Sequence, residues 1–289
     1  MKQAYIDFHS HAFADKIVNK AVSFLQDYYG IPAEGRTGRL ADLIKTESKA
    51  GCAYFVLMVS ATKPSQVVVA NDWSLSVSRL SRSELSTLSG FSDPARPIAF
   101  GTLHPGYTEM EKELSRLKAA GIPGLKIHPE FQGFSLDDPL LYPLYESIGE
   151  DFILLTHIGD RSFSQDNYST PRKLKKILGD FPKLKVVAAH LGGYNCWTEA
   201  FKELAGSDLY LDLSSTLGYI DPCLLAEFVK THDQDRLLFG SDYPLSDPQR
   251  ELDFLSAGNL FTGALWEKVT RKNAETLLSS VGFQFDPGE

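Results

Sequence analysis

The chain has 289 residues, of which 43% are hydrophobic and 23% are charged, proportions typical of a globular protein with a self-sufficient core. Its 29 Lys+Arg and 37 Asp+Glu give a formal net charge of −8, which argues against nucleic-acid and anionic-membrane partners because both need a basic surface. Three cysteines without CxxC spacing predict neither a disulfide framework nor a thiolate zinc site.

No apolar run reaches the roughly 18 residues that a membrane span needs. The first residues also lack the apolar stretch of a signal peptide. We therefore expect a cytoplasmic protein. The length suits one α/β barrel domain over residues 1–289, since such barrels commonly run to about 250 residues. Two smaller domains are the alternative.

Short apolar runs recur along the chain and define the predicted strands. Each is rich in Val, Ile, Leu, Phe or Tyr, as expected for strands buried on both faces. The eight runs lie at residues 4–8, 54–59, 98–103, 124–127, 152–156, 185–189, 209–213 and 237–240.

Helix signals fall between these runs. Residues 12–39 are too long for a simple loop and predict an extra helix after the first strand. Thr108 and Glu111 predict a capping box at another helix start. The alternation of strands and helices predicts a (β/α)₈ TIM barrel, with an open doubly wound sheet as the alternative. Further helices are predicted at residues 41–50, 74–92, 170–179, 221–228 and 264–278.

Most of the seven histidines follow the ends of predicted strands, and only His232 lies elsewhere. Asp242 follows the last strand. In a parallel barrel all such positions meet at the C-terminal mouth, where active sites are built. The histidines at strand ends are His9, His11, His104, His128, His157 and His190.

The alternation of side chains along each strand restricts which of these residues can share a face. Side chains two residues apart share a face, which predicts that Asp7, His9 and His11 point to one side of the first strand. The same rule places Lys126 and His128 together on the fourth strand. Neutral imidazole and carboxylate groups are good ligands for Zn²⁺ and similar ions. Three histidines, one aspartate and an open position form a catalytic rather than a structural metal site.

These residues carry a family resemblance. The sequence Ile-Asp-Phe-His-Ser-His at residues 6–11 resembles the first-strand motif of the amidohydrolase superfamily. Residues 154–157, 187–193 and 238–244 resemble its later motifs, and Gly-Ser-Asp-Tyr-Pro in the last is the most specific. The chain is most similar to the group of small, single-domain members, which includes decarboxylases, lactone hydrolases and hydratases.

The resemblance implies a role for each motif residue. His9, His11, His157 and Asp242 would be metal ligands, and Asp242 would also take a proton from water. His190 would act as an acid, a base or an oxyanion stabiliser in a one-metal site. In a two-metal site, His190 would bind the second ion and Lys126 would bridge both ions as a carbamate. We favour one ion, Zn²⁺, with Lys126 as a free cation. A buried salt bridge from Lys126 to Asp7 or to another interior carboxylate is a purely structural alternative.

Substrate-binding groups are expected on the loops beyond the strand ends. His128 is a candidate, although it could simply brace its loop. Arg161, four residues after His157, could bind a carboxylate through two hydrogen bonds. Tyr194 and Asn195 follow the strand-six histidine and could line the pocket.

The sequence therefore predicts a metal-dependent hydrolase of a small amide, ester or lactone. The alternatives are a metal-dependent decarboxylase of an aromatic or unsaturated acid and a non-catalytic metal-binding barrel. The polymerase-and-histidinol-phosphatase type of barrel also starts with His-x-His, but it ends in an Asp-x-His pair that residues 242–244 lack. We expect a small-molecule substrate as the main partner, with a homodimer as a further possibility.

Overall fold

Parallel strands occupy all eight predicted strand positions in the computed structural model, which describes residues 4–285. The third predicted strand is divided at Phe100, so the strand segments number nine in this range. They are β1 (Tyr5–His11), β2 (Cys52–Met58), β3 (Arg96–Ala99), β4 (Gly101–Thr102), β5 (Gly124–Ile127), β6 (Ile153–Thr156), β7 (Lys185–Ala188), β8 (Tyr210–Asp212) and β9 (Leu237–Leu238).

The strands pair in chain order, as β1-β2-β3 and as β4 to β9. The backbone N–H of Phe100 donates to Leu57 at 2.9 Å and connects the two sets. The N–H of Phe8 donates to the carbonyl of Phe239 at 2.8 Å, and the N–H of Asp242 donates to His9 at 2.7 Å. These bonds join the first strand to the last, and the predicted (β/α)₈ barrel is confirmed.

Helices surround the strands, and α1 is the predicted extra helix. None of the helices within residues 4–285 is long and apolar enough to cross a bilayer. A π-helical turn over Lys268–Lys272 joins the last two helices. The helices are α1 (Val18–Tyr29), α2 (Leu40–Ala50), α3 (Val67–Ser78), α4 (Arg82–Ser89), α5 (Met110–Ala119), α6 (Pro129–Gln132), α7 (Tyr142–Ile148), α8 (Pro171–Asp180), α9 (Trp197–Leu204), α10 (Pro222–Thr231), α11 (Pro248–Ala257), α12 (Gly263–Glu267) and α13 (Asn273–Ser279).

The predicted capping box at Thr108 is wrong. Helix α5 starts one residue later than that motif requires, with Glu109 at the N-cap and no side-chain cap bond. Glu111 therefore occupies the second helical position instead of the third and cannot reach back. A capping box forms instead at Ser81 and Glu84, where α4 begins.

The predicted alternation of side chains between the two faces of β1 fails at one point. Ile6 and Phe8 both pack in the barrel interior. The register of β1 against β2 then shifts between Asp7 and Ser10, as at a β-bulge, which moves the following side chains to the other face. His9 consequently points inward, whereas Asp7 points outward towards Glu47 of α2, and Oδ1 of Asp7 accepts from the backbone N–H groups of His9 and Ser241 at 2.9 and 3.0 Å. The expectation that Asp7 faces the same side as His9 and His11 is therefore wrong.

A buried carboxyl group supports the loop that follows β9. Glu251 in α11 is 3% exposed and accepts a hydrogen bond from the hydroxyl of Ser246 at 2.5 Å. Burial raises the pKa of Glu251 to about 7, and the negative charges of Asp7 and Asp247 add to the shift. The folded protein therefore favours the protonated form of this carboxyl more strongly than the unfolded chain does.

We expect Glu251→Gln to flatten the dependence of stability on pH. The pKa of this carboxyl rises from 4.5 to about 7 on folding, so the folded state holds the proton more tightly. Wild-type stability should fall as pH rises through this window, by roughly 2–3 kcal/mol from this group alone. The glutamine variant lacks this titration. Urea unfolding at low and neutral pH measures the difference.

Glu227 on α10 is the matched control, because its side chain is exposed. Glu227→Gln should keep the wild-type pH dependence. An equally steep decline in the Glu251→Gln variant would contradict the prediction.

Candidate metal centre

Three ligand-type atoms converge where β1 ends and β9 passes into its loop. The Nε2 atoms of His9 and His11 are 3.2 Å apart. Oδ1 of Asp242 lies 3.5 Å from the first and 3.6 Å from the second. A tetrahedral cation with ligands about 2.0–2.2 Å away separates its ligand atoms by about 3.3–3.6 Å. The spacing therefore fits a shared cation.

Glycine at position 240 permits this close approach. A Cβ added to Gly240 would lie 2.7 Å from the Cβ of His9 and 3.1 Å from that of Ser214. Any side chain at this position would push the last strand away from the first. The glycine of the Gly-Ser-Asp motif thus brings Asp242 within reach of the two histidines.

The partners of the other ring nitrogens show where the protons lie. Nδ1 of His11 faces the carbonyl of Met58 at 3.2 Å, and a carbonyl only accepts. Nδ1 of His9 faces the carboxylate of Asp212 at 2.9 Å. Both Nδ1 atoms therefore carry the hydrogen, and both Nε2 atoms present lone pairs. Two lone pairs and the oxygen of Asp242 repel one another unless a cation lies between them.

His157 offers the lone pair of a further ring nitrogen, Nε2, to a cation. Nδ1 of His190 donates to the carbonyl of Ser214 at 3.0 Å, which leaves its Nε2 as an acceptor. Nδ1 of His157 lies 3.1 Å from that Nε2 and is therefore a donor. Nε2 of His157 is then unprotonated, buried and without a hydrogen-bond partner within residues 4–285. An orphaned imidazole nitrogen of this kind fits a metal ligand.

Burial keeps these groups in the forms that bind cations. Removal from water lowers the pKa of His11 to about 3 and that of His190 to about 4, and it shifts the pKa values of His9 and His157 in the same direction. The imidazoles are therefore neutral at pH 7. Burial raises the pKa of Asp242 to about 8, so ionisation of this carboxyl is favoured by a nearby positive charge.

Lys126 supplies one such charge. Its side chain projects from β5 into the interior and is 1% exposed. Burial lowers its pKa to about 8, against the opposing attraction of Asp212 and Asp242. Nζ has no hydrogen-bond partner in the described part of the chain. The alternative salt bridge from Lys126 to Asp7 does not form, because Asp7 faces outward.

Asp212 is a central residue that sequence reasoning missed. It ends β8 and is completely buried. Besides the imidazole of His9, its carboxylate accepts hydrogen bonds from the backbone of His190 at 3.2 Å and from the backbone and hydroxyl of Ser214 at 3.1 and 2.5 Å. The only sequence signal was an acidic residue inside the apolar run 209–213.

Asp212→Asn is expected to weaken metal binding without unfolding the barrel. The amide can no longer act as a charged acceptor for Nδ1 of His9, and loss of such an outer partner typically lowers metal affinity about 10–100-fold. Competition with a chromophoric chelator measures the change. Asp208→Asn, at an exposed aspartate just before β8, should leave the affinity unchanged. Equal affinities for both variants would exclude this role for Asp212.

The predicted substrate-binding residues occupy different places around this centre. The ring of His128 is stacked between Phe131, at 3.8 Å, and His157, at 4.0 Å. Tyr194 lies beside His190 with ring centroids 5.6 Å apart. Both therefore border the ligand cluster.

Arg161 and Asn195 lie farther out. The guanidinium of Arg161 is exposed and covers the ring of Tyr28 at 4.6 Å. The amide of Asn195 donates to the carbonyls of Asp160 and Arg161 at 3.4 and 3.3 Å and thus braces their loop. Tyr29 of α1 was not among the predicted substrate-binding residues, yet its hydroxyl reaches the ring of His128. Within residues 4–285, the ring of His232 hydrogen-bonds only to the backbone of Gly206 and Leu209, before β8.

A family model described as Amidohydrolase matches residues 87–279, about two thirds of the chain. The chain belongs to the amidohydrolase family. It is therefore an enzyme of the amidohydrolase superfamily, of the hydrolase or the decarboxylase type. The match covers the segments that carry Lys126, His157, His190 and Asp242.

Solved structures show the same fold at low sequence identity. An uncharacterized TIM-barrel protein from Bordetella bronchiseptica is 19% identical with a TM-score of 0.71, covering 97% of this chain and 100% of the other. A 2,6-dihydroxybenzoate decarboxylase from Rhizobium is 15% identical with a TM-score of 0.65, covering 97% and 100%. A 5-carboxyvanillate decarboxylase from Novosphingobium aromaticivorans, complexed with manganese, is 14% identical with a TM-score of 0.68, covering 96% of each chain.

Proposed function

We propose that this amidohydrolase-family enzyme hydrolyses a small amide, ester or lactone, using one divalent cation, Zn²⁺, held by His9, His11, His157 and Asp242. The supporting observation is that Nε2 of His9, Nε2 of His11 and Oδ1 of Asp242 lie 3.2–3.6 Å from one another. Nε2 of His157, buried and without a hydrogen-bond partner within residues 4–285, supports this histidine as the fourth ligand. A cation bound there would polarise the substrate carbonyl and lower the pKa of water.

Asp242 is the proposed general base. Its Oδ2 accepts from the hydroxyl of Ser215 at 2.6 Å, while Oδ1 faces the histidines. Ser215 thereby fixes the carboxylate, which can take a proton from the attacking water and return it to the leaving group. The ammonium of Lys126, which has no partner among residues 4–285, can stabilise negative charge on the substrate oxygen.

The proposed number of ions is one. Both ring nitrogens of His190 already have partners, since Nδ1 donates to Ser214 and Nε2 accepts from His157. No lone pair of His190 is left for a second cation. Metal analysis with an intact native mass tests this count. One ion and no added mass are expected; two ions and about 44 Da more would indicate a carbamate on Lys126 that bridges two metals.

Decarboxylation is the second candidate function. The unpartnered, buried ammonium of Lys126 favours it, because this group can pair with a substrate carboxylate in a region of low dielectric. The substrate would then resemble the phenolic acids for which two of the similar structures are named, 2,6-dihydroxybenzoate and 5-carboxyvanillate. A protein from Pseudomonas putida that is named for 2-pyrone-4,6-dicarboxylic acid hydrolysis, 18% identical, supports the lactone alternative instead.

A two-arm substrate panel distinguishes the candidates. The zinc-loaded protein is incubated with carboxylated lactones and simple esters, followed by proton release, and with phenolic acids, followed by CO₂ release. Ring opening or ester cleavage supports the hydrolase. CO₂ release without hydrolysis would replace it with the decarboxylase.

A further inference from the structure

The inserted helix α1 places an aromatic side chain, that of Tyr29, beside the metal centre. Tyr29 is its last residue, and Gly30 ends the helix in the left-handed conformation at φ 68°. The ring of Tyr29 lies 5.6 Å from that of Tyr194 and 6.3 Å from that of His157, measured between centroids. Its hydroxyl lies 3.2 Å from Nε2 of His128. The side chain thus borders the ligand cluster from the side of α1.

The direction of the Tyr29–His128 hydrogen bond follows from the second nitrogen of the imidazole. The backbone N–H of Phe131 donates to Nδ1 of His128 at 3.3 Å, so Nδ1 carries no hydrogen. In the neutral ring the hydrogen is then on Nε2 and points at the oxygen of Tyr29. Tyr29 accepts this bond, and its own hydroxyl hydrogen has no acceptor among the described residues.

The neighbouring tyrosine shows the contrasting case. The hydroxyl of Tyr28 donates to the carboxylate of Asp160, with oxygens at 2.9 and 3.0 Å. Asp160 is 8% exposed and belongs to the loop after β6. Tyr28 therefore has its donor satisfied and ties α1 to the barrel. Tyr29, held beside it, retains a free donor at the edge of the ligand cluster.

We propose that Tyr29 is a substrate-binding residue, whose hydroxyl donates a hydrogen bond to an anionic oxygen, a carboxylate in particular, of the molecule bound at the metal centre. This assignment rests on the proposed catalytic site and adds a contact from outside the barrel strands. It selects for substrates that carry an acceptor oxygen on the side facing α1. Burial raises the pKa of Tyr29 well above its usual value, so the donor hydrogen is present throughout the physiological range.

Binding of benzoate to the cobalt-loaded protein tests this assignment without a known substrate. The protein is freed of metal, reloaded with one equivalent of Co²⁺ and titrated with benzoate while the visible cobalt bands are recorded. Tyr29→Phe keeps the ring and removes only the hydroxyl. We expect about a tenfold rise in the benzoate Kd, the size typical of a lost hydrogen bond to a charged group. Cobalt content and the spectrum without benzoate should not change.

Tyr168→Phe is the matched control, because Tyr168 is an exposed tyrosine, 43% accessible, in the loop between β6 and α8. It should bind benzoate like the wild type. Equal Kd values for wild type and Tyr29→Phe would overturn the assignment of Tyr29 alone, and so would the absence of any benzoate effect on the wild-type bands. Failure of the wild-type protein to take up cobalt would overturn the proposed function and this assignment together.

Discussion

Asp242→Ala is expected to abolish stoichiometric metal binding while the barrel remains folded. The substitution removes the oxygen that lies 3.5 and 3.6 Å from the two Nε2 atoms. Only neutral ring nitrogens then face the cation, and no ligand is left to balance its charge in a buried site. Metal content after dialysis should fall from about one ion per chain to below about 0.1, with His9→Ala giving the same result.

The fold should survive because the ionised carboxylate is not what stabilises it. Burial raises the pKa of Asp242 to about 8, which means that the metal-free protein holds this group against a desolvation cost. Circular dichroism and thermal unfolding of the metal-free proteins therefore separate loss of metal from loss of structure. Mass spectrometry of the metal content provides the measurement itself.

A second aspartate in the same loop provides the control. Asp247 caps α11 by accepting from the backbone of Gln249 at 2.9 Å. Asp247→Ala should cost about 1 kcal/mol of stability and retain the full metal content. Undiminished metal in both Asp242→Ala and His9→Ala would exclude the proposed ligand set.

Short-range sequence patterns were enough to predict which strand ends form the site. Apolar runs located the strands, and parallel pairing brings their ends to one mouth. His9, His11 and Asp242 therefore could be expected close together, and the structure groups them. Asp242 lies more than 230 residues from both histidines along the chain. The barrel topology nevertheless makes the first and last strands neighbours, so this separation does not prevent the three residues from meeting.

Features that depend on packing between distant segments were not predictable. The alternation rule assumed an unbroken strand, whereas the register of β1 shifts between Asp7 and Ser10. Asp212 contacts a histidine 203 positions away, and Tyr29 reaches His128 across 99 positions from an insertion. Nothing in the local composition of the inserted helix indicates that Tyr28 faces a carboxylate and Tyr29 the metal centre.

His190→Asn is expected to retain the metal ion and to lose most of the activity. The asparagine amide can replace the Nδ1–H that donates to Ser214 at 3.0 Å, so the loop after β7 should keep its conformation. It cannot replace the imidazole that contacts Nδ1 of His157 at 3.1 Å and lies 5.0 Å, between centroids, from the ring of His9. If His190 takes part in proton transfer, kcat should fall about 10²–10⁴-fold.

Metal content and kcat, measured together on the substrate that the panel identifies, decide between the possible roles of His190. Its control is His232→Asn, since His232 bonds only to the backbone of Gly206 and Leu209 at the other end of the fold; this variant should keep both quantities. Full activity of His190→Asn would exclude His190 from catalysis. Loss of one ion out of two would instead make it a ligand, and the unpartnered amine of Lys126 would then be the group expected to bridge the two ions.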